Sequence, residues 1–108
     1  IRVLDPLLRA ADAAEAIFCA DPDAPNGKFN AAYGASKAAQ AAMIASWAEE
    51  CAKAPLKIWS AAPPAMPTAL RARFHPGEDQ SALRTTTDVA KALIVARTSA
   101  QHGATVPL

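Results

Sequence analysis

The chain of 108 residues has the size of one small domain, and its 52% hydrophobic content is enough for a globular interior. Eleven basic and ten acidic side chains are scattered along it and leave a net charge of +1, so no basic stripe is present to bind nucleic acid. The most apolar run, AAQAAMIASWA, is too short and too rich in alanine to cross a membrane. Two cysteines without CxxC spacing or nearby histidines argue against a metal site or a disulfide framework, and favour a reduced, cytoplasmic setting.

The first half of the chain alternates helical and strand patterns. IRVLDPLLRAAD has apolar residues at helical spacing around Pro6, which either kinks the segment or begins a helix. Residues 14–20, AEAIFCA, form a short apolar run that predicts a buried strand, and DPDAPNG after it is typical of a loop. A long helix is predicted from Ala32 to Lys53, because the residue before Pro55 is disfavoured in the helical conformation.

The second half continues the alternation. Residues 56–62, LKIWSAA, predict the second strand, and a Pro-rich loop follows in which Thr68 caps a short helix through Phe74. TTTDVAKALIVART predicts a helix with a threonine cap and Val89 on its apolar face, and GATVPL predicts a final short strand. The order helix-strand-helix-strand-helix-strand predicts an α/β fold with a parallel sheet and crossover helices.

The long helix is unusually rich in alanine, with six alanines at positions 38, 39, 41, 42, 45 and 48. Small side chains allow a helix to approach a sheet or another helix closely. We therefore expect a homo-oligomer that forms through this helix.

Tyr33 and Lys37 lie one helical turn apart at the start of the long helix, so both side chains project from the same face. An ammonium close to a phenol stabilises the phenolate, which lowers a tyrosine pKa that starts near ~10 and makes the phenol usable as a general acid or base. The alternative is an exposed phenol and a solvated amine on an ordinary amphipathic helix.

YGASK, residues 33–37, followed by two alanines, resembles the Tyr-x-x-x-Lys motif of the short-chain dehydrogenase/reductase family, which commonly reads YxASK. IWSAAPPAMPTALR is similar to the strand and Pro-Gly loop that follow the motif in that family, and TTTDVAKALIVARTSAQHGATV is similar to its closing helix and strand. The resemblance covers nearly the whole chain in order. It implies that residues 1–108 are the C-terminal half of a Rossmann-type domain of this family.

The resemblance implies hydride exchange between NAD or NADP and a small carbonyl or alcohol substrate. Tyr33 would donate a proton to the carbonyl or accept one from the alcohol. Lys37 would lower the pKa of that tyrosine and bind the nicotinamide ribose. Thr68 and the backbone after Pro63 would face the nicotinamide carboxamide, while residues 69–80 would form a mobile lid.

Three side chains on that lid, Arg71, Arg73 and His75, carry or can carry positive charge. We interpret them as solvated charges on an exposed loop.

The family's catalytic serine lies about a dozen residues before the tyrosine, where residues 19–22 read Cys-Ala-Asp-Pro and contain no serine. Asp21 is the candidate for this position. An ionised Asp21 would repel the negative charge that develops on the substrate oxygen, whereas a protonated Asp21 would donate a hydrogen bond. Asn26 and Asn30 are alternative donors from the loop.

Two further positions depart from the family pattern. Pro64 replaces the glycine of the Pro-Gly pair, which removes a backbone donor and stiffens the loop. Trp59 replaces a small or polar residue on the second strand, and we favour core packing for it over a narrowing of the crevice.

The family's N-terminal Gly-rich phosphate-binding half is also missing, so this chain alone has no cradle for a pyrophosphate. A three-stranded sheet would leave a broad unpaired edge. The chain does not begin with Met, and we expect either a fragment of a longer reductase or a remnant that a partner completes.

Three functional hypotheses remain. The first is an NAD(P)-dependent oxidoreductase that is active as part of a longer chain. The second is a non-catalytic relative that retains the fold for binding or assembly. The third is a structural α/β module without a ligand, in which the Tyr33 and Lys37 spacing is coincidental.

Overall fold

The computed structural model describes all 108 residues as a three-stranded sheet with four α-helices and two short 3-10 turns. The strands are β1 (Ala14–Cys19), β2 (Leu56–Ala62) and β3 (Thr105–Pro107). The helices are α1 (Asp5–Ala10), α2 (Ala31–Glu50), α3 (Ala69–Phe74) and α4 (Thr86–Ala96), and the 3-10 turns are Ala24–Asn26 and Gln80–Ala82. None of the helices combines the length and the apolar character needed to cross a membrane.

The three strands lie in the order β1-β2-β3 and are all parallel. Ala14 of β1 is level with Leu56 of β2, and Cys19 is level with Ala61. β3 pairs only with the end of β2, beginning at Ser60. This arrangement confirms the predicted α/β class with a partial Rossmann-like parallel sheet. It also places the C-terminal ends of all three strands at one edge of the sheet.

The helix boundaries follow the capping residues. Pro6 lies in the first turn of α1, so it begins the helix and does not kink it. The prediction that the long helix reaches Lys53 was wrong by three residues, because the Cys51 amide bonds to several preceding carbonyls and the chain then turns. The predicted cap of α3 is confirmed, since Thr68 Oγ1 accepts from the amide of Arg71 at 3.1 Å.

The core lies between α2 and one face of the sheet. Its buried residues are Ile44, Trp47, Ala48, Cys51, Leu56 and Ile58. The ring of Phe18, from β1, meets that of Trp47 edge to face with 6.1 Å between centroids. α1 is tied to the same helix because the indole of Trp47 donates to the carboxylate of Asp5 at 2.6 Å. α2 is therefore fixed over β1 and β2 by apolar packing at its C-terminal half.

The opposite face of the sheet carries a charged cluster under the end of α4. Glu15 on β1 accepts hydrogen bonds from the Trp59 indole at 2.9 Å and from Arg97, and pairs with Lys57 at 2.8 Å. Trp59 is completely buried, which agrees with its interpretation as a core residue. Lys57 also donates to the backbone carbonyl of Arg97 at 2.7 Å. These contacts hold the sequence after α4 against the sheet.

Burial by itself raises the pKa of Glu15, but hydrogen bonds from Lys57, Trp59 and Arg97 outweigh it and lower the pKa from 4.5 to about 2. Because the folded-state pKa lies below the unfolded one, the resulting stability is fully present above pH 4.5 and is lost as the pH falls towards 2. The shift corresponds to at most about 3 kcal/mol of stability at neutral pH.

Replacement of Glu15 by glutamine is expected to destabilise the protein strongly at pH 7 and less near pH 3, because by pH 3 the unfolded wild type has taken up the proton at Glu15 and part of the stabilisation is lost. Urea unfolding at the two pH values measures the difference. Glu49→Gln, at an exposed position of α2, is the matched control and should change the free energy of unfolding little at either pH. An equal loss at both pH values for Glu15→Gln would contradict the interpretation.

Candidate active site

The predicted site residues come from two places that the parallel sheet brings together. Asp21 follows the end of β1 by two residues, and Pro63 directly follows β2. Because β1 and β2 are parallel neighbours, both segments leave the sheet at the same edge. α2 begins above this edge after the turn at Ala24–Asn26, and its first two turns carry Tyr33 and Lys37.

Gly34 allows the start of α2 to lie directly against that turn. A Cβ atom at this position would lie 2.7 Å from the Ala24 carbonyl oxygen and 2.9 Å from the Pro25 Cα, and both of these are backbone atoms. Any side chain would therefore push the helix away from the turn. The glycine of YGASK is thus required by packing, and the close approach determines how far Tyr33 lies from Asp21.

Tyr33 and Asp21 are in direct contact. The Tyr33 hydroxyl donates a hydrogen bond to Asp21 Oδ2 at 3.0 Å. Asp21 therefore contacts the phenol that the resemblance assigns as the proton donor. The other two candidates for the serine's role, Asn26 and Asn30, form no side-chain hydrogen bond with Tyr33, and the Asn30 side chain does not cap α2.

Lys37 is directed towards the end of β1. Its ammonium donates to the Cys19 carbonyl at 2.9 Å and to Gln40 Oε1 at 3.2 Å, and lies 5.8 Å from the centroid of the Tyr33 ring. An ammonium has three protons, so one remains for a ligand. Gln40 was not predicted as a site residue from the sequence. It lies about one helical turn after Lys37, and residues at this spacing are neighbours on one face of a helix.

The pKa of Tyr33 is raised above its ordinary value of 10 and not lowered as expected from the spacing. Partial burial of the phenol raises this pKa, and the hydrogen bond and negative charge of Asp21 raise it further. The expectation fails because Lys37 bonds to Cys19 and Gln40, while Asp21 holds the phenol in its protonated form. In this state Tyr33 is a proton donor and a poor base.

The remaining predicted residues lie on the segment after β2. Thr68 uses its oxygen to accept from the amide of Arg71, which leaves its hydroxyl proton available for another acceptor. Arg71 forms two hydrogen bonds of 2.7 Å with Glu78, so its interpretation as a solvated charge was wrong. Arg73 and His75 are exposed, in agreement with that interpretation. The Arg71–Glu78 pair links α3 to the residues that follow it.

No family model and no curated protein sequence matches the chain, but solved structures do. A short-chain dehydrogenase from Salmonella enterica serovar Typhi is 28% identical with a TM-score of 0.85. A structure from Escherichia coli CFT073 with bound NADPH is 29% identical with a TM-score of 0.84. Each comparison covers 98% of this chain. The chain has a short-chain dehydrogenase fold.

An oxidoreductase from Escherichia coli has the same likeness, at 30% identity and a TM-score of 0.84 over 98% of the chain. The chain spans only 45% of the length of each of these three structures. The short-chain dehydrogenase fold that the YGASK motif and the closing helix predicted is therefore confirmed for the part of the fold that these residues build.

Replacement of Asp21 by asparagine is expected to lower the pKa of Tyr33 towards 10, because it removes the negative charge beside the phenol. Tyr33 is the single tyrosine of the chain, so the phenolate absorbance reports on it directly. Asp23→Asn, an exposed carboxylate two residues further on, is the matched control and should leave the titration unchanged. A titration midpoint that does not move in Asp21→Asn would show that the carboxylate does not control the phenol.

Proposed function

We propose that residues 1–108 are the C-terminal half of a short-chain dehydrogenase/reductase domain, and that the complete polypeptide is an NAD(P)-dependent oxidoreductase. The substrate is a small carbonyl compound, an alcohol or the nitrogen analogue of either. The observation that carries the proposal is the contact set of Tyr33, Lys37 and Asp21 at the C-terminal edge of a parallel sheet. In open α/β sheets this edge is where ligands bind.

The polar groups at this edge fit the nicotinamide end of a dinucleotide. Lys37 retains one ammonium proton for the ribose hydroxyls, and Thr68 retains its hydroxyl proton for the carboxamide oxygen. Pro63 begins the segment after β2 that contains Thr68. These residues give no means of holding the pyrophosphate, which we assign to a Gly-rich half outside this chain.

A bound nicotinamide supplies or accepts a hydride, and the residues of this chain manage the proton. Tyr33 is protonated and reaches the end of β1, so it can donate a hydrogen bond to a substrate heteroatom. Lys37 adds a positive charge within one helical turn. NADPH in the Escherichia coli CFT073 structure supports a nicotinamide nucleotide as the cofactor, either NAD or NADP.

The alanine-rich face of α2 supports assembly into a homo-oligomer. Ala35, Ala39, Ala42 and Met43 are exposed, and Met43 has 48% of its surface in contact with solvent. A second copy of this helix would cover the face with little steric hindrance, since most of its side chains are methyl groups. We propose that the complete protein associates through this surface.

A second candidate function is non-catalytic nucleotide binding. It is favoured by the same hydrogen bond, because a phenol held by Asp21 resists the loss of its proton. Titration of the complete protein with NADPH, followed by tryptophan fluorescence, distinguishes the two functions when it is combined with turnover assays. Saturable quenching without any turnover would favour the binding protein.

Replacement of Tyr33 by phenylalanine tests the enzymatic proposal. Loss of the proton donor is expected to lower kcat for the reduction of a carbonyl substrate by about 100-fold or more, while the affinity for NADPH changes little. Ser36→Ala is the matched control, since the exposed Ser36 hydroxyl bonds only to the Tyr33 carbonyl and should leave kcat near that of the wild type. Reduction of a carbonyl substrate that persists undiminished in Tyr33→Phe would contradict the assignment of Tyr33 as the proton donor.

A further inference from the structure

Asp21 places a negative charge where a substrate heteroatom would meet Tyr33. It is half-buried, lies two residues after β1, and accepts from the Tyr33 hydroxyl at 3.0 Å. In this bond the phenol is the donor and Asp21 is the acceptor. A heteroatom that binds the phenol therefore also lies near the carboxylate.

Neither neighbouring cation pairs with this carboxylate. The ammonium of Lys37 bonds to the Cys19 carbonyl and to Gln40, and the guanidinium of Arg71 bonds twice to Glu78. The four salt bridges of the chain do not include Asp21. The negative charge is thus left without a direct ionic partner and is available to a ligand.

The carboxylate is also reachable. With Lys37, it lines a cavity of about 290 Å³ between residues 37–45 of α2, Ser60 of β2 and the beginning of β3, and Tyr33 is not among the lining residues. Most of the remaining lining is apolar or small, including Ala38, Ala41 and Ile44. The volume lies near the lower end of the range for small-molecule sites, so it suits a compact ligand with an alkyl body.

The negative charge of Asp21 has opposite effects on two kinds of hydride transfer. Reduction of a ketone creates negative charge on oxygen, which Asp21 would destabilise. Oxidation of an amine creates positive charge on nitrogen, which Asp21 would stabilise. The amine reaction also needs no proton transfer in the same step, so a tyrosine that stays protonated does not hinder it.

We propose that the substrate class is a primary or secondary amine, oxidised to an iminium ion with Asp21 as the group that binds its nitrogen. This assignment rests on the proposed function. The carbon–hydrogen bond next to nitrogen breaks, and its electron pair leaves with the hydrogen as hydride to the oxidised nicotinamide. The ammonium ion that Asp21 binds first loses a proton to solvent water, and the nitrogen lone pair that this frees forms the carbon–nitrogen double bond. Neutral amine and cationic nicotinamide thus give cationic iminium and neutral reduced nicotinamide.

The test compares an amine with the alcohol of the same shape, 1-phenylethylamine against 1-phenylethanol, in the complete protein with NAD⁺ or NADP⁺. The wild type is expected to oxidise the amine with a kcat/KM at least about tenfold above that of the alcohol. Asp21→Asn, which keeps the shape and removes the charge, should lower the amine value by about tenfold or more. Asp21→Ser should shift the preference towards the alcohol.

A cation without a hydrogen on the carbon next to nitrogen gives a readout that does not depend on hydride transfer. tert-Butylammonium is expected to compete with the amine in the wild type and about tenfold more weakly in Asp21→Asn. Asp23→Asn is the matched control and should behave as the wild type. Thermal unfolding of each variant verifies that the fold is retained.

The possible failures are distinguishable. If the protein binds NADPH and oxidises the alcohol as well as the amine, or if Asp21→Asn leaves their ratio unchanged, the amine assignment is overturned and the oxidoreductase proposal stands. If the complete protein neither binds NADPH nor transfers hydride to any substrate, both are overturned.

Discussion

The parallel pairing of β1 with β2 is the constraint on which the candidate site depends. It brings the segments after Cys19 and after Ala62 to one edge of the sheet. The core between α2 and the sheet then fixes the far end of that helix, and the close approach at Gly34 fixes its near end. With both ends held, Tyr33 and Lys37 have little freedom to lie anywhere except above the end of β1.

Two charged side chains near Tyr33 favour different states of its phenol: an ammonium favours the phenolate, and a carboxylate favours the protonated form. Lys37 would favour the phenolate, but its ammonium bonds to the Cys19 carbonyl and to Gln40. Asp21 has the phenol as its partner and keeps it protonated. The helical spacing of a Tyr-Lys pair is therefore retained, while burial and Asp21 raise the pKa of the phenol.

The alternation of patterns was sufficient to predict the strands, the capped helices and the parallel sheet, because each depends on local spacing and on proline or threonine at an end. The YGASK motif was sufficient to predict the fold that the solved structures share. The direction of the Tyr33 pKa shift could not be predicted from the sequence, because it depends on a contact between Asp21 and Tyr33, which are twelve residues apart. The cluster around Glu15 could not be predicted either, because Arg97 and Glu15 are 82 residues apart in the sequence.

The central claim is that Lys37 holds the nicotinamide end of a dinucleotide beside Tyr33 and Asp21. A crystal structure of the complete polypeptide with NADPH tests it most directly. The account predicts that the ammonium of Lys37 lies within hydrogen-bonding distance of the nicotinamide ribose hydroxyls, and that the Tyr33 hydroxyl remains beside Asp21. A structure in which NADPH lies elsewhere, with Lys37 bonded only to Cys19 and Gln40, would contradict it.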